Sequence, residues 1–461
     1  IIMTLIKSIS GIRGTIGGEP SINLTPLDIV RFTTAYGQWL SSNSEDTLTV
    51  VTGRDARISG AMVHSLVNQT LIGMGINVID LGLSTTPTVA VAVPWEKANG
   101  GIVLTASHNP KEWNALKLLN HNGEFISAES GEIVLAFAEK QTFNYADVDH
   151  LGVLKTNDTY FKKHIDATIA MDTVNVSGIK KGLFKVVVDG VNSSGGVIIP
   201  QLLEALGVEV VKIHCVPNGD FPHNPEPLNE HLGDLCEAVV SQNAHFGIAV
   251  DPDVDRLVFV DEKGHFFGEE YTLVACADYI LSKTSGATVS NMSSTRALLD
   301  VTLTHAGHYS ASAVGEVNVV KEMKAVNAVI GGEGNGGVIY PPLHYGRDAL
   351  VGVVIFLSLL VERKVSVSKL RASYPNYFMS KNKIILNEGI DVDDVMNTMA
   401  KRYVSEKISI IDGVKIDFEK EWVHLRKSNT EPIIRVYTEA MSKEKASALA
   451  QRFVSEINSL L

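Results

Sequence analysis

Apolar residues recur along this chain in two alternating rhythms. Short β-branched and aliphatic runs such as TLTVV (47–51), GGIVL (100–104), KVVVD (185–189) and FGIAV (246–250) break into turns of Gly, Ser, Asn or Asp, as buried strands do. Between them, apolar positions take helical spacing. Leu27 to Leu40 is one such segment, with Thr25 placed to cap it and Pro26 at the first helical position. AMVHSLVNQTLIGMG (61–75) is another, ahead of the run NVIDLG. This alternation predicts parallel sheets covered by helices. Three stretches echo one another, LTVVTGRDAR (48–57), FKVVVDGVNSSGG (184–196) and GATVSNMSSTRALL (286–299), and suggest repeated α/β units.

The rhythm changes near the end. KIILN, a helix from about Val392 to Ser405, ISIIDGVKIDF, EWVHLRKS and PIIRVYTEA predict strands joined by short turns, closed by the amphipathic SKEKASALAQRFVSEINSLL. The expected division is into four domains at 1–152, 153–257, 258–373 and 374–461.

Length supports that count, because 461 residues exceed what one core can hold. Composition, 45% hydrophobic and 20% charged, is that of a folded soluble protein. A formal net charge of -12 argues against nucleic-acid and anionic-membrane partners, although a few local arginines can still take a phosphate. Cys215, Cys236 and Cys276 are an odd number without metal spacing, which fits reduced thiols. IIMTLIK is too short an apolar region for a signal peptide, and the most apolar run, Ala349 to Val361, is too short to span a bilayer. The expected location is the cytoplasm.

Six short stretches carry candidate chemistry. Thr105-Ala106-Ser107-His108-Asn109-Pro110 follows GGIVL and delivers a serine at the end of a strand, where it suits either turn chemistry or a nucleophile. Asp251-Pro252-Asp253-Val254-Asp255-Arg256 follows FGIAV and sets three carboxylates at i, i+2 and i+4. Left alone they would repel, so a divalent cation or an arginine partner is expected, and an open coordination position suits Mg²⁺. An EF-hand is excluded, because Leu257-Val258-Phe259-Val260 supplies neither its glycine nor its distant glutamate.

Gly331-Gly332-Glu333-Gly334-Asn335-Gly336-Gly337 has five glycines in seven positions but the spacing of neither a P-loop nor a dinucleotide fingerprint. It reads as a flexible turn, or as a bare loop offering Glu333 and Asn335 to polyol hydroxyls. Arg426-Lys427-Ser428-Asn429-Thr430-Glu431-Pro432, with Arg435 nearby, reads as a hairpin turn or an anion cradle. Arg13, between glycines in Ser10-Gly11-Ile12-Arg13-Gly14, either reaches a phosphoryl group or decorates a turn. Lys117, in ALKLL, is either a strand lysine with its stem along apolar surface or a cation for the serine site.

In chain order, from Gly-Ile-Arg-Gly through TASHNP, DPDVDR and the Gly-Glu loop to Arg-Lys-Ser-Asn-Thr, and over essentially the whole chain, the motifs resemble the α-D-phosphohexomutase superfamily. The resemblance implies a four-domain architecture around a central cleft, with three similar mixed α/β domains and a C-terminal α+β, TATA-binding-protein-like domain. It implies that Ser107 is a phosphoserine in the active enzyme. Asp251, Asp253 and Asp255 would hold Mg²⁺ together with a phosphoserine oxygen. Arg13 and Arg256 would flank the transferring phosphoryl group, with His108 and Lys117 in acid–base or charge-stabilising roles. Glu333 and Asn335 fall on sugar contacts, and Arg426, Ser428, Asn429 and Thr430 on the phosphate that is not reacting. The implied partner is a phosphosugar, with a hexose 1,6-bisphosphate as activator, and the implied assembly is a monomer or homodimer.

Two departures bear on the substrate. Many relatives carry Gly-Glu-x-Ser-Gly-His in the sugar loop, whereas Asn335 and Gly337 stand here for the serine and the histidine. The loop is similar to that of archaeal-type mutases of glucosamine and glucose phosphates. In the phosphate loop, Ser-Asn-Thr resembles the phosphoglucomutase/phosphomannomutase branch and Thr-Glu-Pro the phosphoglucosamine branch. The mixture points to glucosamine phosphate, with glucose or mannose phosphate as the alternative. A non-catalytic sugar-phosphate binder and a serine-dependent phosphatase are the other readings. The joint presence of Ser107, three aspartates and Lys117 speaks against a dead copy.

Overall fold

The turns that end the apolar runs deliver strands to four separate sheets. The computed structural model describes residues 3–8, 11–43, 46–386, 390–428 and 432–461. The first sheet runs Ile6–Ser8, Gly11–Thr15, Trp113–Leu119, Gly100–Leu104, Thr49–Arg54, Asn77–Leu83, Leu154–Thr156. The second runs Leu257–Val260, Phe246–Val250, Lys185–Asp189, Glu209–Ile213, and the third His308–Ser312, Ala287–Asn291, Ala328–Glu333, Gly337–Ile339.

The three echoing stretches are the strands Thr49–Arg54, Lys185–Asp189 and Ala287–Asn291, each inside its sheet between two parallel neighbours. One neighbour in each unit, Gly100–Leu104, Phe246–Val250 or Ala328–Glu333, then folds back into an antiparallel strand. That fold-back lies at the carboxyl end of the parallel strands, where α/β sheets present ligands. The three fold-backs carry TASHNP, DPDVDR and the end of the Gly-rich run.

Two strands lie across the expected divisions. Leu154–Thr156 pairs with Asn77–Leu83 and completes the first sheet, and Leu257–Val260 pairs with Phe246–Val250 and completes the second. GVLKTND (152–158) is polar because its strand is an exposed sheet edge, which from sequence looks like a linker. The fourth sheet is wholly antiparallel, in the order Phe378–Ile385, Ile433–Ala440, Trp422–Lys427, Val414–Asp417, Lys407–Ser409. The helices Val392–Arg402 and Lys443–Asn458 pack on it through Val395, Met399, Leu449 and Phe453. The first of these stops three residues short of the expected Ser405.

The helix Pro26–Ser41 begins as its sequence predicts, with Thr25 and Asp28 forming a capping box. The apolar run from Ala349 becomes the helix Ala349–Arg363, buried from Ala349 to Leu360. Its cap, Asp348, does more than cap. One carboxylate oxygen accepts from Leu350 N at 2.8 Å; the other accepts from His164 Nε2 at 2.9 Å and His344 Nε2 at 3.1 Å. The Thr88 hydroxyl, 3.0 Å away, supplies the other nitrogen of His164, so one buried carboxylate ties three units together. No described helix is long and apolar enough to cross a membrane, and all three cysteines are free.

Asp348→Ala removes a helix cap and strands two buried imidazole N–H groups, a loss of about 3 kcal/mol or more. Urea unfolding is expected to show it; an unchanged midpoint would mean the carboxylate is not the junction described.

Candidate active site

Ser107 follows Gly100–Leu104 in left-handed backbone, φ 50°, uncommon for a residue with a Cβ. The loop makes few ladder hydrogen bonds, and a buried arginine takes their place. Arg57 Nη2 donates to the carbonyls of Ser107 and, at 2.7 Å, Asn109. Its Nη1 donates to the carbonyls of Pro110 at 2.7 Å and Trp113 at 3.0 Å, and its Nε to Asp55 at 3.1 Å. Thr105 Oγ1 donates to the same Asp55 oxygen at 2.6 Å and accepts from Ser107 N at 2.9 Å. A rigid five-donor fork suits such a cluster of carbonyls. Ser107 Oγ then donates to Asp251 Oδ2 at 2.7 Å, so the serine loop and the aspartate turn meet.

Asp251, Asp253 and Asp255 are all fully buried. Asp251 Oδ1 closes the turn by accepting from the backbone N–H groups of Asp255 and Arg256, both at 3.1 Å. The turn's backbone is fixed from three sides. Ser193 and Ser194 donate to the Pro252 carbonyl, Thr86 N to the Asp253 carbonyl, and Ala349 N to the Val254 carbonyl. Lys117 is no surface lysine: its Nζ donates to Asp253 Oδ2 at 2.6 Å and Asp255 Oδ2 at 3.3 Å. Thr86 Oγ1 also donates to Asp253, and Arg347 Nη2 reaches Asp255 Oδ2 at 2.7 Å.

Two oxygens remain. Asp253 Oδ1 and Asp255 Oδ1 are buried without a hydrogen-bond partner, and the three carboxylates can bring one oxygen each within 4.8 Å of one another. Burial, reinforced by Asp253 and Asp255, pushes the Asp251 carboxyl well above its usual range. Burial opposes charge on Asp253 too, but the Lys117 ammonium and hydrogen bonds from Asp251, Lys117 and Thr86 together outweigh it and hold that group low. An all-oxygen set with orphaned acceptors fits a hard divalent cation such as Mg²⁺.

Positive charge gathers on the other side of Ser107. Arg256 Nη1 pairs with Glu226 at 3.0 Å, and its buried Nε has no partner. Arg13, on Gly11–Thr15, has no ion-pair partner among the described residues, and burial together with Arg256 lowers its pKa. His108 Nδ1 lies 3.4 Å from Ser107 Oγ; burial, then Arg256 and Arg13, push its pKa down to about 2, so the ring is neutral. Two guanidinium groups beside a neutral imidazole make a place for an anion.

The Gly-rich stretch differs from the expected bare loop. Glu333 ends the strand Ala328–Glu333, is buried, and has both oxygens engaged. Oε1 accepts from Asn291 at 2.9 Å and Gly315 N at 3.2 Å, and Oε2 from Arg347 Nη1 at 2.9 Å. Asn335 closes its own turn by accepting from Gly337 N at 3.2 Å. Arg347 also donates from Nε to Glu316 at 2.9 Å, so one guanidinium joins the sugar-loop glutamate to the aspartate turn. A Cβ at Gly337 would lie 2.3 Å from Arg347 Cδ. Where a side chain at position 337 would stand, this chain has Arg347.

Arg426 and Arg435 are direct cross-strand partners in the fourth sheet. Arg426 is not an open cradle: its Nε lies 2.9 Å from Asp412 Oδ2, and Asp412 also accepts from Val314 N at 2.9 Å. Ser428 N donates to the Ile433 carbonyl across the hairpin. Asn429 and Thr430 lie outside the described residues. Sequence reading missed Arg57, Arg347, Glu316 and Glu226. A signal was present for the two arginines: Arg57 follows a buried strand inside the echo GRDAR, and Arg347 immediately precedes the cap of the most apolar helix.

A strand-end serine hydrogen-bonded to a turn of cation-ready carboxylates is the arrangement of a phosphoryl-transfer protein. Comparison with known families gives four successive matches to phosphoglucomutase/phosphomannomutase: α/β/α domain I over 5–145, domain II over 160–264, domain III over 268–377 and the C-terminal domain over 383–456. The chain belongs to this family of phosphohexomutases, intramolecular phosphotransferases of the isomerase class.

It is 36% identical over 440 residues, 95% of this chain and 94% of the relative, to a phosphoglucomutase/phosphomannomutase of Thermococcus kodakarensis. It is 30% identical over 446 residues, 95% of this chain and 96% of the relative, to a phosphoglucosamine/phosphogalactosamine mutase of Sulfurisphaera tokodaii. The fold is similar to the crystal structure of a phosphoglucomutase/phosphomannomutase family protein from Burkholderia thailandensis, with TM-score 0.85 and 24% identity, covering 99% and 97% of the two chains.

Gly337→Ala is expected to displace Arg347 and lower kcat/KM about tenfold. In a double-mutant cycle with Arg347→Ala the two effects should be strongly non-additive. Full additivity would show that Arg347 does not occupy that space.

Proposed function

We propose that this chain interconverts 6-phospho and 1-phospho hexoses through a phosphoserine at Ser107 and a bound hexose bisphosphate, with glucosamine 6-phosphate to glucosamine 1-phosphate as its preferred reaction. The observation that best supports the reaction is the 2.7 Å hydrogen bond from Ser107 Oγ to Asp251, between the serine loop and the carboxylate turn.

Asp251, Asp253, Asp255 and a phosphoserine oxygen would hold Mg²⁺, which when bound would supply positive charge to stabilise the transferring phosphoryl group. Lys117 helps hold the Asp253 carboxyl low and sets its ammonium between Asp253 and Asp255. Arg13 and Arg256 take the phosphoryl oxygens, and neutral His108 accepts a hydrogen bond from the hydroxyl that meets them. Arg57 holds the serine loop in its left-handed geometry throughout. Arg426, Arg435, Ser428, Asn429 and Thr430 hold the far phosphate, Arg426 exchanging the carboxylate of Asp412 for the phosphate. Glu333 and Asn335 bind the sugar. A hexose 1,6-bisphosphate restores the phosphoserine when the intermediate escapes. The free thiols suit a reducing cytoplasm.

The preference for an amino sugar is supported by charge. With Asp255 engaged by the cation, Arg347 is the guanidinium that bridges Glu316 and Glu333, and these two acidic side chains would favour a hexose carrying an ammonium group. The relative from Sulfurisphaera tokodaii agrees. Glucose or mannose phosphate is the second reading, favoured by the 36% identity to the Thermococcus kodakarensis protein.

Parallel kcat/KM measurements on glucosamine, glucose and mannose phosphates, with Mg²⁺ and a trace of bisphosphate, are expected to rank glucosamine first. A glucose or mannose phosphate turned over faster would remove the amino-sugar preference and leave the mutase standing. Ser107→Ala should lower isomerisation about a thousandfold or more; near-full activity would end the phosphoserine assignment, and release of free phosphate without isomerisation would mark a phosphatase.

A further inference from the structure

Behind the aspartate turn, in the second unit, three side chains converge that the reaction does not use. Asp189 ends the strand Lys185–Asp189 and is almost fully buried. His214 follows the adjacent strand Glu209–Ile213 with φ 48°, and His223 lies on the segment that leads to Glu226. His214 Nδ1 and His223 Nε2 both stand 3.1 Å from the same oxygen, Asp189 Oδ2, and the two rings meet edge to face at 5.4 Å.

The opposite nitrogens decide what can sit between them. His223 Nδ1 is 2.8 Å from the Asn224 carbonyl, which can only accept, so that nitrogen carries the proton. A neutral His223 would then aim a lone pair at a carboxylate. His214 Nε2 faces Asp234 Oδ2 at 3.3 Å, so that nitrogen too has an acceptor nearby for a proton. Positive charge answers this, either as an imidazolium at His223 or as one cation that accepts the lone pairs of both rings.

We propose that Asp189, His214 and His223 form a binding site for a borderline transition-metal ion of the Zn²⁺ or Co²⁺ class, separate from the catalytic carboxylates. The ligand atoms of the three can lie within 4.8 Å of one another. The 3.1 Å spacings are close to the ~3.3 Å edge of a tetrahedron with ~2.0–2.1 Å metal–ligand bonds. Each imidazole keeps its remaining N–H for an outer acceptor, Asp234 for His214 and the Asn224 carbonyl for His223, as metal-bound histidines usually do. Asp189 is oriented by Val191 N, which donates to Oδ1 at 3.0 Å. Both histidines are partly exposed, which gives an ion entry and leaves a position for water.

The site pins two segments that lean on the catalytic turn. Ser193 and Ser194 hold the Pro252 carbonyl on one side, and Glu226 holds Arg256 on the other. Its role is therefore structural support, independent of which sugar is used.

The test titrates CoCl₂ into the full-length protein in excess Mg²⁺, read by visible absorption and calorimetry. One site with nitrogen-ligand d–d bands is expected. His214→Gln and His223→Gln should each weaken it about tenfold or more, with unchanged circular dichroism. Asp251→Asn should leave the bands in place. The proposal is overturned if the histidine variants bind as before, if Asp251→Asn abolishes the signal, or if ¹⁵N spectra show both rings still doubly protonated with Zn²⁺ present.

Discussion

Three carboxylates on one turn, removed from water, are the constraint around which the molecule is organised. Taking ionised groups out of water is costly unless opposite charge and hydrogen bonds are supplied at the same place. Here the compensating groups come from elsewhere in the chain. Lys117 and Thr86 belong to the first unit, Arg347 to the third, and Ser107 brings a hydroxyl from the first. The electrostatic need of one turn thus holds separate sheets in register.

The arrangement follows from topology. In each of the three α/β units the turn from a parallel strand into its antiparallel neighbour emerges at the carboxyl end of the sheet. The first unit uses it for a serine, the second for carboxylates, and the third for a glycine-rich turn beginning at Glu333. One scaffold position has been given three chemistries, and backbone hydrogen bonds between the turns, such as Leu257 N to the Gly336 carbonyl, keep them adjacent.

Much of this is legible in the sequence because it is local. The strand runs, the cap at Thr25, the echoes at 48, 184 and 286, TASHNP and DPDVDR all announce themselves within a few residues. What stays hidden depends on pairing at long range. Nothing near Arg57 says that it will gather carbonyls fifty residues away, and nothing near Arg347 says that it will meet Asp255. Glu333 reads as a loop residue because glycines surround it, yet those glycines let the chain continue as paired strand. Likewise Asp412, which occupies Arg426, lies in the turn before Val414–Asp417, whereas Arg426 is on the strand Trp422–Lys427. The end of the first sheet is obscure for another reason, since the edge strand Leu154–Thr156 is exposed and has little apolar pattern to display.

The hydrogen bond from Ser107 to Asp251 has a consequence for the protein as a material. It exists only while the serine is unmodified, because a phosphate ester has no hydroxyl proton to give. On the reading proposed above, modification of Ser107 would therefore remove this one link between the first two units, while Lys117 and Thr86 keep theirs to the aspartate turn. A preparation containing both forms would then hold two molecules that differ in how the serine loop is tied to that turn.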